Sequence, residues 1–405
     1  MSFAFLHNFK DRYREIFLNS WRPFFWIAVV IFLVYSATLF FNIVYLDDNV
    51  FVIGDHSYNK DLSNLPQIFK EDVFRTPNQG GSFYRPILRL SFMLDARSGE
   101  DAVIFMSHLT NLFLHILVAC LLFVLLMKFD VKKETAMGWS LIFGIHPLTA
   151  EIVAFIPGRN DSLLAIFAFL AIWFFIDYLK TRKRSAYFWH FVFLAMALLT
   201  KETAVVVPAL CLVYAAVFIG RKEMIADLTR YLYLLIGWLS FYLGWFLIRM
   251  AVLNNFVGNA DYHIIPSLFK NLPALIPAIG KIFLPFNLSV FPVMQDMTMV
   301  YGVIVLILLS LWFVLSQNKN YRLVIFGTAW FILFILPTLI KPMDKASDFS
   351  EHRIYLPMIG FIFILLGMGR LKFINFSRKN ILIIGLILAI FFSSITVFRN
   401  KYYNK

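Results

Sequence analysis

Residues 24–49 read FFWIAVVIFLVYSATLFFNIVYLDDN, and this stretch decides the fold of the chain. Its first part, about 24–44, is an apolar run long enough to cross the ~30 Å hydrocarbon core of a bilayer as a helix. The run is too long for the apolar region of a signal peptide, and no small-residue cleavage site follows it. Two adjacent carboxylates, Asp47 and Asp48, come directly after it. Because basic residues precede the run and mark the cytoplasmic side, we expect the acid pair on the outer face.

The composition indicates that most of the chain lies in a membrane. Of the 405 residues, 60% are hydrophobic and 15% are charged, whereas soluble domains carry about 25% charged residues. Long apolar runs recur along the sequence, which predicts an all-α polytopic membrane protein. We predict about eleven spans, at 24–44, 104–127, 135–147, 161–179, 186–199, 204–219, 231–252, 298–315, 322–340, 354–369 and 380–398.

The net charge of +13 does not indicate a nucleic-acid partner, since no RNA- or DNA-binding motif is present. In a membrane protein such a charge reflects basic loops on the cytoplasmic side. Cys120 and Cys211 lie inside apolar runs and are typical of small buried residues, not of a disulfide framework. We see no separate soluble domain, so residues 1–405 are predicted to form a single transmembrane domain.

Two long segments are predicted on the outer face. The first, about 45–103, is the longest polar segment, and it is expected to contain a surface helix near 64–74. The second, about 253–297, is rich in proline and has apolar residues at helical spacing near 267–284. This spacing predicts an interfacial helix that lies on the bilayer.

Polar residues of the outer segments cluster into five short patches. They are Asp47-Asp48, Tyr84-Arg85-Pro86, His146 to Asp161, Lys201-Glu202 and Glu351-His352-Arg353. Solvating charges would be scattered over both sides of the membrane, whereas these patches all fall on one side. Acids and bases at one face predict an active site at the membrane–water boundary.

The acid pair has a plain interpretation and a catalytic one. Polar residues normally end a membrane span, so Asp47 and Asp48 could simply be a solvated helix end. Alternatively, one of them is a general base whose neighbour raises its pKa. Adjacent residues at a helix terminus point in different directions, so one can face a cavity while the other holds the loop. We favour Asp47 as the base. The sequence requires no cofactor, and a divalent cation, if one binds, would be held by the two acids with waters.

The third and fourth patches suggest an anion site. Arg159 opens the fourth span after Pro157-Gly158, where an outward helix N-terminus attracts anions, although an Arg there could also anchor to lipid headgroups. Glu151 could have a structural role as an ion-pair partner of Arg159 or His146. Lys201 could bind a phosphate, or it could form an ion pair that closes its short turn.

The fifth patch repeats the arrangement of the third. Arg353 stands at the head of the tenth predicted span, as Arg159 stands at the head of the fourth. Two such Arg residues could clamp one phosphate. The alternative is again a headgroup anchor. His352 alone is a weak signal, because no pair of His residues has metal-ligand spacing.

These motifs, in this order, resemble a known family. An Asp-Asp pair after the first span and a large first outer loop are similar to the GT-C superfamily of polytopic glycosyltransferases. The later patches, including Glu351-x-Arg353-x-Tyr355-Leu356-Pro357, resemble those of the transmembrane-and-TPR (TMTC-type) protein O-mannosyltransferases over about 24–370. This sequence differs from that family in having no TPR array after the last span, and a bare membrane core suggests a prokaryotic inner or plasma membrane.

The resemblance implies a GT-C fold and an enzyme that uses a polyprenyl-phosphate sugar on the extracytoplasmic face. It implies that an acid of the Asp47-Asp48 pair is the catalytic base and that Arg159 lies near the donor phosphate. From the patches we assign Lys201 and Arg353 to the donor phosphate together with Arg159. The remaining polar residues are predicted to support the sugar or the acceptor: Arg85, Glu151, Asp161, Glu202, Glu351 and His352. The expected reaction is an inverting transfer of mannose or another hexose to a hydroxyl of a protein, glycan or lipid.

Two other classes of membrane protein remain as alternatives. A flippase or transporter of lipid-linked sugars would place ionisable residues in mid-membrane, where this sequence has few. An O-antigen ligase or polymerase would also use outer Arg residues but needs no acid pair after its first span. The patches therefore favour a glycosyltransferase whose partners are a lipid-linked sugar, an acceptor and membrane lipids.

Overall fold

The structure, a computed structural model, describes residues 15–44, 47–75, 83–253, 264–289, 297–340, 351–371 and 378–404. In these ranges the chain is almost entirely helical. The α-helices are α1 Arg22–Tyr35, α2 His56–Lys60, α3 Pro86–Ala96, α4 Val103–Lys128, α5 Lys133–Gly144, α6 Ala150–Ala154, α7 Arg159–Thr181, α8 Arg184–Leu198, α9 Val207–Tyr214, α10 Arg221–Ala226, α11 Leu228–Leu253, α12 Ile264–Asn271, α13 Leu275–Phe283, α14 Val300–Leu315, α15 Tyr321–Ile335, α16 Met358–Gly367 and α17 Arg378–Asn400. Two short antiparallel strands, β1 Ser316–Gln317 and β2 Arg370–Leu371, pair beyond the ends of α14 and α16.

The helices make this chain an integral, all-α polytopic membrane protein. Within the described ranges, seven helical segments are long and apolar enough to cross a bilayer: Arg22–Phe40, Val103–Lys128, Ile156–Thr181, Glu202–Ile219, Leu228–Leu253, Tyr321–Leu339 and Ile383–Asn404. An eighth is a bent pair, Lys133–Gly144 with Pro147–Ala154, which turns by 53°. The bend falls at Pro147, which lacks an amide hydrogen and cannot continue the helix before it.

Each of the eleven predicted spans coincides with a helix, but not each helix has the length of a span. The helices α8, α14 and α16 are shorter than the segments that pass the length and hydropathy test. The count of eleven crossings and the GT-C arrangement of the loops therefore stay predictions, whereas the all-α polytopic membrane class is confirmed.

The predicted surface helix near 64–74 is wrong. The structure has two 3-10 turns there, Leu62–Asn64 and Gln67–Phe69. Ile68 and Val73 are both buried. In an α-helix, side chains five residues apart point about 140° away from each other, so one helix face could not bury both. Short turns can bury both side chains.

The longer of the two α-helices described in the first outer segment is α3, which begins at Pro86. Proline suits the first helical position because its missing amide hydrogen has no partner there anyway. Buried Leu88 and Phe92 face the core from this helix. Arg89, one turn after Arg85, pairs with Asp55, which also accepts a hydrogen bond of 2.8 Å from Arg75. These contacts fix α3, and Arg85 before it, against the rest of the outer segment.

The predicted helix near 267–284 is confirmed as helical. It consists of α12, a 3-10 turn at Leu272–Ala274, and α13. That this segment lies on the bilayer surface remains a prediction. α13 contacts α14 through glycines: a Cβ added to Gly280 would come within 2.6 Å of the backbone nitrogen of Gly302. The close approach fixes α13 and the side chain of Lys281 that it carries.

We expect Gly327→Ala to destabilise the protein by about 1–3 kcal/mol, the usual cost of forcing extra atoms into a well-packed contact. A Cβ on Gly327, in α15, would lie 2.4 Å from the carbonyl oxygen of Gly360 in α16, and this backbone atom cannot rotate away. Thermal unfolding of the purified protein in detergent measures the effect. Gly244→Ala in α11 is the matched control, because nothing lies within 4 Å of its new Cβ. Equal unfolding temperatures for the two variants would contradict the prediction.

Candidate active site

Asp47 lies within electrostatic range of two other polar patches. The residue is exposed and comes after the first membrane span. Desolvation by the surrounding protein raises the pKa of its carboxyl group, while the charges of Arg85 and His352 lower it. Residues from the first, second and fifth patches therefore act on one another electrostatically, although hundreds of residues separate the first from the last in the sequence.

Asp48 has the opposite environment from its neighbour. It is completely buried, and its Oδ2 accepts a hydrogen bond of 2.9 Å from the backbone amide of Val44. Burial raises the pKa of Asp48 to about 7, against the opposing effects of the Val44 hydrogen bond and the Arg159 charge. This carboxyl group ties the start of the outer segment to the end of the first span, where an acceptor molecule has no access.

Arg85 is held at the surface by Glu202. Its Nη2 and Nε donate to Oε2 of Glu202 at 2.7 and 3.1 Å. The guanidinium lies 4.3 Å from the centroid of the Phe83 ring. The Arg85 side chain is 14% exposed, so one side of the cation faces solvent while the other is paired. Glu202 thus fixes the position of a cation from the second patch whose charge acts on Asp47.

An ion pair that closes the turn would require Lys201 to pair with its neighbour Glu202. Lys201 pairs with Asp161 instead. Its Nζ donates to Asp161 at 2.5 Å and to Asn160 at 3.2 Å, so the third and fourth patches meet. Burial lowers the pKa of Lys201, the Asp161 charge raises it, and the charges of Arg85 and Arg353 lower it. Three cations therefore crowd one region, which a bound anion would stabilise.

Arg353 lies in the 3-10 turn Glu351–Ile354, before α16. Its Nη1 donates a hydrogen bond of 3.1 Å to the carbonyl oxygen of Thr338. This contact anchors the guanidinium to the end of the span Tyr321–Leu339. Arg353 thereby stays within electrostatic range of Lys201.

Arg159 is not placed as the sequence suggested. Its side chain is fully buried and forms an ion pair with Asp95 of α3. Its Nε donates to Asn111 and its Nη2 to the carbonyl oxygen of Ser107, both at 2.8 Å. The nitrogens are thus occupied by protein acceptors, and the geometry opposes a direct phosphate contact. A clamp formed by Arg159 and Arg353 has no support, because one of the two guanidinium groups is closed off.

A buried ionic network joins the third and fifth patches. Nδ1 of His352 lies 2.7 Å from Oε1 of Glu151. Glu351 is completely buried, and its two oxygens accept from Lys281 at 2.5 Å and from Arg399 at 2.6 Å. Glu151 therefore pairs with His352 and not with Arg159 or His146.

Sequence reasoning missed Lys281, Arg399 and Asp95. Lys281 had a signal, since it is the one charged residue in the apolar stretch Leu275–Phe283. Arg399 also had one, because the predicted topology puts it at the outer end of the last span, where a cation breaks the positive-inside pattern. The structure explains it by the pairing with Glu351 and by a hydrogen bond of 2.8 Å from Arg399 to the carbonyl oxygen of Pro147.

The central part of the chain matches a known family. Residues 84–245 match the family described as dolichyl-phosphate-mannose-protein mannosyltransferase. The membrane core of this chain resembles that of the TMTC-type O-mannosyltransferases. Protein O-mannosyl-transferase TMTC3 of Homo sapiens is 32% identical over 199 residues, which cover 46% of this chain and 20% of the relative. Protein O-mannosyl-transferase F38B6.6 of Caenorhabditis elegans is 26% identical over 368 residues, or 85% of this chain and 51% of the relative. The resemblance drawn from the motifs is confirmed.

The similarity covers part of this chain and part of each relative. The chain spans about one fifth to one half of the length of these curated relatives. The matched family region contains Arg85, Lys201 and Glu202, whereas Asp47 and His352 lie outside it. Within the described residues, no group of three or more His, Cys, Asp and Glu side chains is arranged to hold a metal ion.

Proposed function

We propose that this chain is a membrane glycosyltransferase. It transfers a hexose, with mannose as the first candidate, from a polyprenyl-phosphate donor to a hydroxyl group of a protein or of another glycan or lipid. The reaction takes place on the extracytoplasmic face and inverts the anomeric carbon. The observation that carries the proposal is the exposed carboxylate of Asp47 within electrostatic range of Arg85, which in turn acts, together with Arg353, on Lys201. The relatives named as protein O-mannosyl-transferases support the sugar and the reaction class.

The proposed roles follow from exposure and from partners. Asp47 takes the proton of the acceptor hydroxyl, because it is exposed and Asp48 is not. Arg85, Lys201 and Arg353 stabilise the charge that develops on the departing phosphate. Glu202 and Asp161 hold the first two of these cations in place. Arg159 and Asp48 do not contact the substrates. Arg159 fixes α3, and Asp48 fixes the start of the outer segment.

A flippase for lipid-linked sugars is the second candidate, since it would also bind a polyprenyl phosphate. Its translocation path would need polar groups through the membrane. In the described residues, the acidic partners of Arg85, Lys201 and Arg399 all lie in or beside the outer patches. The Lys128–Asp177 pair lies at the other ends of α4 and α7, distant from these patches along both helices. This separation of the charged pairs favours an enzyme with its site at one face of the membrane over a flippase.

The proposal predicts that the purified protein releases polyprenyl phosphate from one donor in a panel of radiolabelled polyprenyl-phosphate sugars. Mannose is the expected sugar, and release should require an acceptor with a free hydroxyl. Parallel reactions with EDTA test for a divalent cation. Reconstituted vesicles with the donor in one leaflet distinguish the flippase, which would move the intact donor without releasing the lipid phosphate. Movement without release would replace the proposed function.

A further inference from the structure

Arg353, which the proposed function assigns to the donor phosphate, lies in a turn whose position is set by other residues. The 3-10 turn Glu351–Ile354 begins two residues before Arg353, at Glu351. The Arg353 guanidinium donates to the carbonyl oxygen of Thr338 at 3.1 Å. The position of this cation therefore depends on what holds Glu351 and Thr338.

Glu351 is held largely by the second outer segment, of which the structure describes residues 264–289. Glu351 is completely buried, and its Oε1 accepts from Nζ of Lys281 at 2.5 Å and from the Ser289 amide at 3.0 Å. Its Oε2 accepts from Arg399 at 2.6 Å. Lys281 is also buried, at 5% exposure. Separating one partner of a buried ion pair from the other is strongly unfavourable, so the position of Glu351 follows that of Lys281.

The same segment holds the end of the span that carries Thr338. Nδ2 of Asn271, the last residue of α12, donates to the carbonyl oxygen of Leu339 at 2.9 Å. The hydroxyl of Ser267, one turn earlier, donates to the same oxygen at 3.3 Å. Asn271 and Ser267 are both buried. The segment therefore fixes the turn that carries the cation and also the backbone that accepts its hydrogen bond.

Lys281 is itself in a fixed place, because α13 packs closely on α14. A Cβ on Gly280, the residue before it, would collide with the backbone of Gly302. Such a close contact leaves the helix little freedom to shift, since packed interiors have few voids. The ammonium group of Lys281 can therefore act as a rigid support for Glu351.

We propose that Lys281 is a positioning residue for the transfer reaction, which acts through Glu351 to place Arg353 at the phosphate of the lipid-linked donor. This inference rests on the proposed glycosyltransferase function. Lys281 does not contact the donor, because its ammonium group is buried and paired with Glu351. The inference gives the second outer segment a role in the reaction, as the support of one of the phosphate cations.

The test uses the full-length protein and the donor found in the panel, with turnover measured as lipid phosphate released per folded protein. For Lys281→Met we expect turnover to fall by about tenfold to 10²-fold, since a misplacement of about 1 Å can cost 10²-fold. The same substitution in an Arg353→Met background should have little further effect, because the group that Lys281 positions is already absent. A merely structural role would give the same loss in both backgrounds.

A second variant keeps the test informative if Lys281→Met alone prevents folding. Lys281→Met with Glu351→Gln removes both charges of the pair, which is often close to neutral for stability. Arg399 then keeps Glu151, at 3.8 Å, as its nearby carboxylate. This charge-neutral variant should fold, as thermal unfolding in detergent will show, and should also lose about tenfold or more in turnover.

The matched control is Lys128→Met with Asp177→Asn, which removes a Lys–carboxylate pair at the other ends of α4 and α7. Its turnover should stay close to that of the wild type. The positioning role is overturned if the charge-neutral variant keeps wild-type turnover, or if Lys281→Met costs as much in the Arg353→Met background as in the wild type. A wild-type protein that releases no lipid phosphate from any donor overturns the proposed function itself, which is a different result.

Discussion

Asp47→Asn should lower turnover by about 10²–10⁴-fold, the range for a lost general base, while donor binding stays within a fewfold of wild type. Asn keeps the size of the side chain but cannot take a proton from the acceptor hydroxyl. Because Asp47 is exposed and lies within electrostatic range of Arg85 and His352, its loss should affect the chemical step and not the fold. Single-turnover release of lipid phosphate and donor binding are measured on the same preparation.

Asp48→Asn is the control that this pair of acids offers. The pKa of Asp48 is raised to about 7, so the neutral form is well populated at neutral pH and Asn imitates it. The side-chain oxygen of Asn can still accept from the Val44 amide, as Asp48 does at 2.9 Å. We expect turnover within about tenfold of wild type. A large loss for Asp48→Asn with wild-type turnover for Asp47→Asn would exchange the two roles. Wild-type turnover for both would exclude the acid pair from catalysis.

The sequence predicts the polar residues of the candidate site more accurately than it predicts the contacts of those residues. All five patches lie in short segments that end or begin helices, because polar side chains must leave the hydrocarbon core at such points. Their partners are far away along the chain: Arg85 and Glu202 are 117 residues apart, and His352 and Glu151 are 201 apart. Local patterns carry no information on such distant pairs, so the anion role of Arg159 was predicted from its helix position and from the family resemblance, without knowledge of Asp95.

In the fold, too, local features are predictable from the sequence and features that depend on distant contacts are not. Apolar runs predicted a helix at each of the eleven segments, since hydropathy and helix length are local properties. They could not predict that α16 would be only ten residues long. The helix α3 had a readable pattern, with Leu88, Phe92 and Ala96 spaced four apart. Tyr84-Arg85-Pro86 contains both a site motif and the proline that begins this helix.

Arg159→Met should destabilise the protein by about 3–5 kcal/mol, the usual effect of removing one partner from a buried ion pair. Asp95, whose side chain is 5% exposed, would keep its charge in a buried position. Its remaining hydrogen bond from Thr110, at 2.6 Å, cannot offset that charge. Thermal unfolding in detergent and the yield of folded protein measure the loss.

The double variant Arg159→Met with Asp95→Asn decides between the two roles considered for Arg159. Replacing both charges of a buried pair is often close to neutral, so the double variant should recover most of the stability lost by the single one. If Arg159 only fixes α3 against α7, the recovered protein should bind the donor with a KM within a fewfold of wild type. If the guanidinium contacts the donor phosphate, stability should return while the KM rises by tenfold or more, because a charge-assisted hydrogen bond would still be missing. The buried position of Arg159 and its bonds to Asp95, Asn111 and Ser107 favour the first result.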